Sequence, residues 1–97
     1  INDQSGVALT QTLLGNVYSR QAQVTPAMNL YQQALAFYRI TGNRESESIL
    51  LGNMADLWEK QKQPELAIVF YKQSVNVLET IRQDLKQLPR ESQEAYT

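Results

Sequence analysis

Displaced by 40 residues, the chain matches itself in residue type. Leu14-Gly15, Tyr18, Ala27, Tyr31 and Ala34-Leu35 fall on Met54-Ala55, Trp58, Ala67, Tyr71 and Ser74-Val75. Small residues meet small ones, aromatics meet aromatics and aliphatics meet aliphatics. Self-similarity at a fixed period marks a stack of structural units, each too small to bury its own apolar face. A closed globular core is therefore not the expected outcome. A second register competes, because Leu13-Leu14-Gly15-Asn16 recurs letter for letter as Leu50-Leu51-Gly52-Asn53, an offset of 37. That alignment sets Ala55 against Tyr18 and loses the second half of the match. Compatible residues across a whole unit outweigh four identical letters, so 40 is preferred.

The spacing within a unit predicts a pair of helices. Leu14, Gly15 and Tyr18 occupy i, i+1 and i+4 of a helical stripe. Glycine inside a helix is unfavourable by about 0.5–1 kcal/mol relative to alanine, so Gly15 calls for a closely crossing neighbour. Ala27, Tyr31 and Ala34 lie at i, i+4 and i+7, placing two small residues and a ring on one face of the second helix. Gly15 and Ala27 are the expected contact points, repeated by Ala55 and Ala67.

Along the chain, a first helix is expected from an N-cap at Asp3 to about residue 21, with Val7, Leu9, Leu13, Leu14 and Val17 as its apolar positions. Thr25-Pro26 reads as an N-cap followed by proline at the first helical position. That second helix runs to about residue 40 and carries Met28, Leu30, Tyr31, Leu35, Phe37 and Tyr38. Thr41-Gly42-Asn43 is a stop in which Gly42 takes the left-handed conformation. A third helix over residues 44–61 turns Ile49, Leu50, Leu51, Met54, Leu57 and Trp58 inward. Pro64 opens a fourth, to about residue 86, with Leu66, Ile68, Val69, Phe70, Val75, Val77, Leu78, Ile81 and Leu85. Leu88-Pro89 ends it, and residues 90–97 read as the start of another helix. The expected organisation is one array over residues 1–97: a first repeat at about 3–41, a second at about 43–86, and the start of a further helix at 89–97.

Composition removes several functions. The 97 residues include no cysteine and no histidine, which excludes disulfides, thiol nucleophiles and imidazole bases and leaves no usual zinc ligand set. No catalytic group, cofactor or metal is expected. Asp56 and Glu59 are two carboxylates three apart, but no nucleophile or phosphate loop accompanies them, so they read as a solvated helix face. Lysine and arginine number 9 against 10 aspartates and glutamates, for a net charge of −1. Arg82, Lys86 and Arg90 are interleaved with Glu79, Asp84, Glu91 and Glu94, so neither nucleic acid nor an anionic membrane is an expected partner. No apolar run is long enough to span a bilayer and no signal-peptide pattern is present. The expected location is cytoplasmic. The chain opens on Ile1, which reads as a piece cut from something longer.

Leu-Gly, Tyr three after the Gly, Ala nine after the Tyr, an aromatic four on and Ala-Leu three on resemble the tetratricopeptide repeat. The resemblance implies an all-α fold of antiparallel helix pairs stacked in a short right-handed superhelix. It also implies a non-catalytic, protein-binding role. Non-core positions of each unit's first helix then face a concave groove. They are Leu9, Thr12, Leu13, Asn16, Ser19 and Arg20, then Ile49, Gly52, Asn53, Asp56, Glu59 and Lys60. Asn16 and Asn53 resemble the asparagines by which peptide-binding members hold an extended ligand's backbone, since one amide offers both a donor and an acceptor. Members that clamp a C-terminal carboxylate carry Lys where this chain has Thr12, which argues against that type of groove.

Residues 58–77, followed by Ile81-Arg-Gln-Asp-Leu and Leu88-Pro-Arg-Glu, resemble a narrower group. These are the tetratricopeptide segments that precede the caspase-like CHAT peptidase domain in large cyanobacterial and other bacterial proteins. Two roles are thus expected. One is a groove for a peptide or protein partner; the other is an intramolecular spacer or regulatory arm beside a CHAT domain. Self-association through exposed helix faces is a third.

Overall fold

The computed structural model describes residues 4–89. Four helices follow one another: α1 Gln4–Arg20, α2 Val24–Thr41, α3 Arg44–Lys60 and α4 Pro64–Lys86. The strongest packing is α1 on α2 and α3 on α4, with α2 against α3 joining the two pairs and a slight contact between α1 and α3. The all-α, stacked-pair architecture is as the self-match predicts.

The turns repeat at the preferred offset. Gln23 N–H donates to Tyr18 O at 2.9 Å and Gln63 N–H to Trp58 O at 2.9 Å. Ala22 N–H reaches Ser19 O and Lys62 N–H reaches Glu59 O, both at 3.0 Å. Ala22 and Lys62 themselves sit in the left-handed region, at φ 60° and 59°. This is the bonding of a glycine-type helix stop, made here with residues that carry a Cβ. Gly42 closes α2 at φ 71°, as expected, and Asn43 caps α3 by accepting from Ser46 N–H at 3.2 Å.

One reading near the first turn needs correction. Thr25 is not the cap of α2; the helix begins at Val24 with Gln23 as the capping position, and Pro26 lies inside the first turn. The Ala22 turn sets that start. The first four N–H groups of a helix have no intrahelical acceptor, so proline is tolerated there. Gly15, for its part, faces the ring of Tyr31: a Cβ at Gly15 would stand 2.6 Å from Tyr31 Cε1 and 2.8 Å from Cδ1. The helix crossing that the glycine demanded is made over this ring. Asp3 and residues 90–97 lie outside the described residues.

The core consists of Ala8, Ala27, Tyr31, Ala34, Leu35, Tyr38, Leu50, Leu51, Met54, Leu57 and Val77. Within α1 the buried side is the small one, Ala8, Thr12, Gly15 and Ser19, while Val7, Leu9, Leu13, Leu14 and Val17 are exposed. Ile49 likewise points outward and is not part of the α3 core. The leucines of the two identical tetrapeptides occupy opposite environments. Leu13 and Leu14 are 56% and 40% exposed whereas Leu50 and Leu51 are at 0%. A Cβ on Gly52 would meet nothing within 4 Å. The helix starts and the turns therefore follow the 40-residue offset and not 37.

Candidate functional site

α1 and α3 run side by side, and their facing positions, with the tip of one α2 side chain, line a polar recess. Its walls are Asn16, Ser19 and Arg20 from α1, Tyr31 from α2, and Asn53, Asp56 and Lys60 from α3. It holds about 180 Å³. Ligand pockets for drug-sized molecules run to roughly 300–1,000 Å³, so this recess suits a short side chain or one backbone unit of a longer ligand.

Asn16 is the hinge of its chemistry. The Tyr31 hydroxyl donates to Asn16 Oδ1 at 2.6 Å, and Asn53 Nδ2 donates to the same oxygen at 3.2 Å. Accepting twice fixes the Asn16 amide, and one rotamer then serves both helices. Among the described residues, Asn16 Nδ2 and Asn53 Oδ1 make no hydrogen bond. A donor and an acceptor thus stand on adjacent helices, held in place and open to the recess. Burial raises the Tyr31 pKa above 10, the nearby Asp56 charge adds to the rise, and Ser19 and Arg20 partly offset it. Tyr31 consequently stays a protonated donor at neutral pH.

Charge is distributed unevenly around this pair. Lys60 Nζ lies 2.9 Å from Asp56 Oδ2, an i,i+4 pair with both groups about half exposed. Such a pair contributes about 0.3–0.5 kcal/mol, so it is readily exchanged for a ligand's charge. Arg20 has no ionic partner among the described residues.

The recess unites Asn16, Ser19, Arg20, Asn53, Asp56 and Lys60 of the sequence-derived set. Leu9, Leu13 and Ile49 lie outside it, on exposed parts of α1 and α3. Glu59 is exposed and accepts from the Tyr71 hydroxyl at 3.4 Å, away from the recess. Thr12 does not belong to a groove surface: it is buried, and its hydroxyl donates to Ala8 O at 2.9 Å. The short β-branched side chain returns to its own helix where a longer polar one would reach out. Tyr31 is the residue that sequence reasoning placed only in the core. Its ring does pack there, over Gly15, but its hydroxyl reaches the recess. The signal was available in the choice of Tyr over Phe at a buried position. Trp58 is partly buried, with its indole N–H covered and without a partner. Among the described residues no cluster of acidic groups suited to a metal occurs, and no helix is long and apolar enough to cross a membrane.

Helix pairs repeating at fixed offset, with polar side chains gathered along the first helix of each pair, define a helical-repeat protein. A family model described as tetratricopeptide repeat matches residues 6–80, and the chain belongs to that family. Tetratricopeptide repeats in general mediate protein–protein interaction and are a non-catalytic fold. Comparison with curated proteins and with solved structures gave no match.

Proposed function

We propose that the chain binds an extended peptide or protein segment along α1 and α3, with Asn16 and Asn53 holding one backbone amide of the ligand. The observation that carries this reading is Asn16 Nδ2 beside Asn53 Oδ1, neither of them hydrogen-bonded among the described residues. A peptide unit presents a C=O for the first and an N–H for the second. Leu9, Leu13 and Ile49 add apolar contact at the flanks, and Arg20, Asp56, Glu59 and Lys60 select charge. The role is one of binding, without catalysis.

The test uses a peptide selected from a random-peptide phage library against the intact chain. Its affinity is measured by calorimetry for the parent and for the Asn16→Ala/Asn53→Ala variant. Two neutral hydrogen bonds are together worth about 1–3 kcal/mol, so binding should weaken about tenfold or more while helicity is retained. Unchanged affinity would remove the asparagine pair from the binding mechanism.

A second reading rests on the resemblance of residues 58–91 to segments that precede CHAT peptidase domains. In it the array positions such a domain and has no external ligand. A CHAT domain following Thr97 in a longer protein, together with failure of the phage selection, would favour it.

A further inference from the structure

A backbone amide occurs at every ligand residue, so an asparagine pair that held backbone alone would confer no choice of sequence. The pair in the recess is more selective, because neither amide is free to turn over. Asn16 Oδ1 accepts from the Tyr31 hydroxyl at 2.6 Å and from Asn53 Nδ2 at 3.2 Å. Reversing the Asn16 amide would set its N–H groups against those of Asn53, and reversing Asn53 would bring two carbonyl oxygens together. Tyr31 reinforces the first orientation, since burial keeps its hydroxyl a protonated donor. The recess therefore presents a fixed donor, Asn16 Nδ2, on α1 and a fixed acceptor, Asn53 Oδ1, on α3. Neither is hydrogen-bonded among the described residues.

Two ligand groups offer a matching C=O and N–H. A backbone unit is trans and directs them to opposite sides, so it engages the pair only by lying between the two side chains. A primary carboxamide carries its oxygen and one N–H along a single edge. We infer that the recess prefers a ligand with Asn or Gln at this point, the side-chain carboxamide taking the place of the backbone unit. This specificity rests on the groove reading above and narrows its ligand. Asn53 Nδ2 already donates to Asn16 Oδ1. With Asn16 Nδ2 donating to the ligand oxygen and the ligand N–H to Asn53 Oδ1, three amides close a ring in which each donates once and accepts once. The wall disfavours the rival groups. A carboxylate finds a partner in Arg20 but brings its second oxygen against Asn53 Oδ1 and the Asp56 carboxylate. An ammonium or guanidinium group meets Asn16 Nδ2, Arg20 and Lys60. An apolar tip leaves both amide groups without a partner. The carboxamide is neutral and satisfies both, and a recess of about 180 Å³ admits it on its short stem.

Capped pentapeptides test this, each acetyl-Ala-Ala-X-Ala-Ala-methylamide with X as Gln, Asn, Glu or Met. The caps leave the X side chain as the sole source of a primary amide, and the backbone is common to all. Each is titrated into the intact 15N-labelled chain, and NMR follows the side-chain amides of Asn16 and Asn53 with the backbone amides of Arg20 and Asp56. The Gln or the Asn peptide should half-saturate the shifts at a concentration about tenfold below that of the Met and Glu peptides, the effect of two neutral hydrogen bonds. Asn53→Ala leaves the Tyr31–Asn16 bond in place and should reduce that preference by about threefold or more, read on Arg20 and Asp56. Equal affinity for every peptide, with both asparagines shifted by each, would overturn the carboxamide preference and leave the backbone reading standing. Tighter binding of the Glu peptide would overturn it in favour of a carboxylate on Arg20. So would a preference that survives Asn53→Ala undiminished, since the carboxamide would then lie away from the pair. No shift at either asparagine with any peptide would remove the groove reading and the preference together.

Discussion

Substituting the two internal glycines separately by alanine should move stability in opposite directions. At Gly15 a Cβ would sit 2.6 and 2.8 Å from two ring carbons of Tyr31. That ring cannot swing away cheaply: Tyr31 is 1% exposed and its hydroxyl is tied to Asn16. Overpacking of this kind costs about 1–3 kcal/mol. Relief from glycine's helix penalty returns about 0.5–1 kcal/mol, which leaves Gly15→Ala destabilising by up to about 2.5 kcal/mol. At Gly52 no atom lies within 4 Å, so only the propensity gain remains and Gly52→Ala should stabilise by about 0.5–1 kcal/mol. For a chain of this size 1 kcal/mol moves Tm by about 4–8 °C, so thermal melts followed by circular dichroism resolve both changes. In a Tyr31→Leu background the Gly15 penalty should shrink, because the obstructing ring is gone. Shifts of the same sign and size at Gly15 and Gly52 would refute the reasoning. They would restore the equivalence that the repeated Leu-Leu-Gly-Asn implies.

Other outcomes follow from the turns and from Tyr31. Lys62→Gly and Ala22→Gly should each raise stability by about 0.5–1 kcal/mol in urea titrations, because the left-handed conformation costs a residue with a Cβ about 1–2 kcal/mol and glycine's greater unfolded-state freedom offsets part of the relief. Gly42→Ala, at φ 71°, should act in the reverse sense. Tyr31 holds its proton more tightly when folded than when unfolded. Its contribution is complete below the unfolded value near 10 and is lost as pH rises from there through the folded value, since the unfolded chain releases the proton first. Alkaline unfolding should therefore be shallower in Tyr31→Phe than in the parent, measured by circular dichroism between neutral pH and pH above 11.

The helix pairs were legible because residue type alone carries their periodicity, and Gly42 because a lone glycine at a pattern break has one common use. The aliphatics of α1 were not placed so directly. Leu14 and Met54 answer the same pattern, yet one is exposed and the other buried, because burial in a stack depends on having a helix on each side. Periodicity records an apolar face without saying whether a neighbour covers it. The stops at Ala22 and Lys62 gave no signal, since nothing in Gln-Ala-Gln or Gln-Lys-Gln announces a left-handed residue. The candidate site was legible in its asparagines but not in how they meet. The two are 37 apart, one turn short of the repeat, and that displacement lets Asn53 reach across to Asn16. Thr12 was misassigned because helix position was read without the reach of the side chain.

The most direct test follows the side-chain amide signals of Asn16 and Asn53 in 15N-resolved NMR as the phage-selected peptide is added. A peptide held along α1 and α3 should shift both amides to saturation, with Arg20 and Lys60 moving alongside, while the methyl signals of Ile68 and Val75 on α4 stay in place. Shifts confined to the α4 methyls, with the two asparagine amides unmoved at saturation, would contradict a groove built on Asn16 and Asn53.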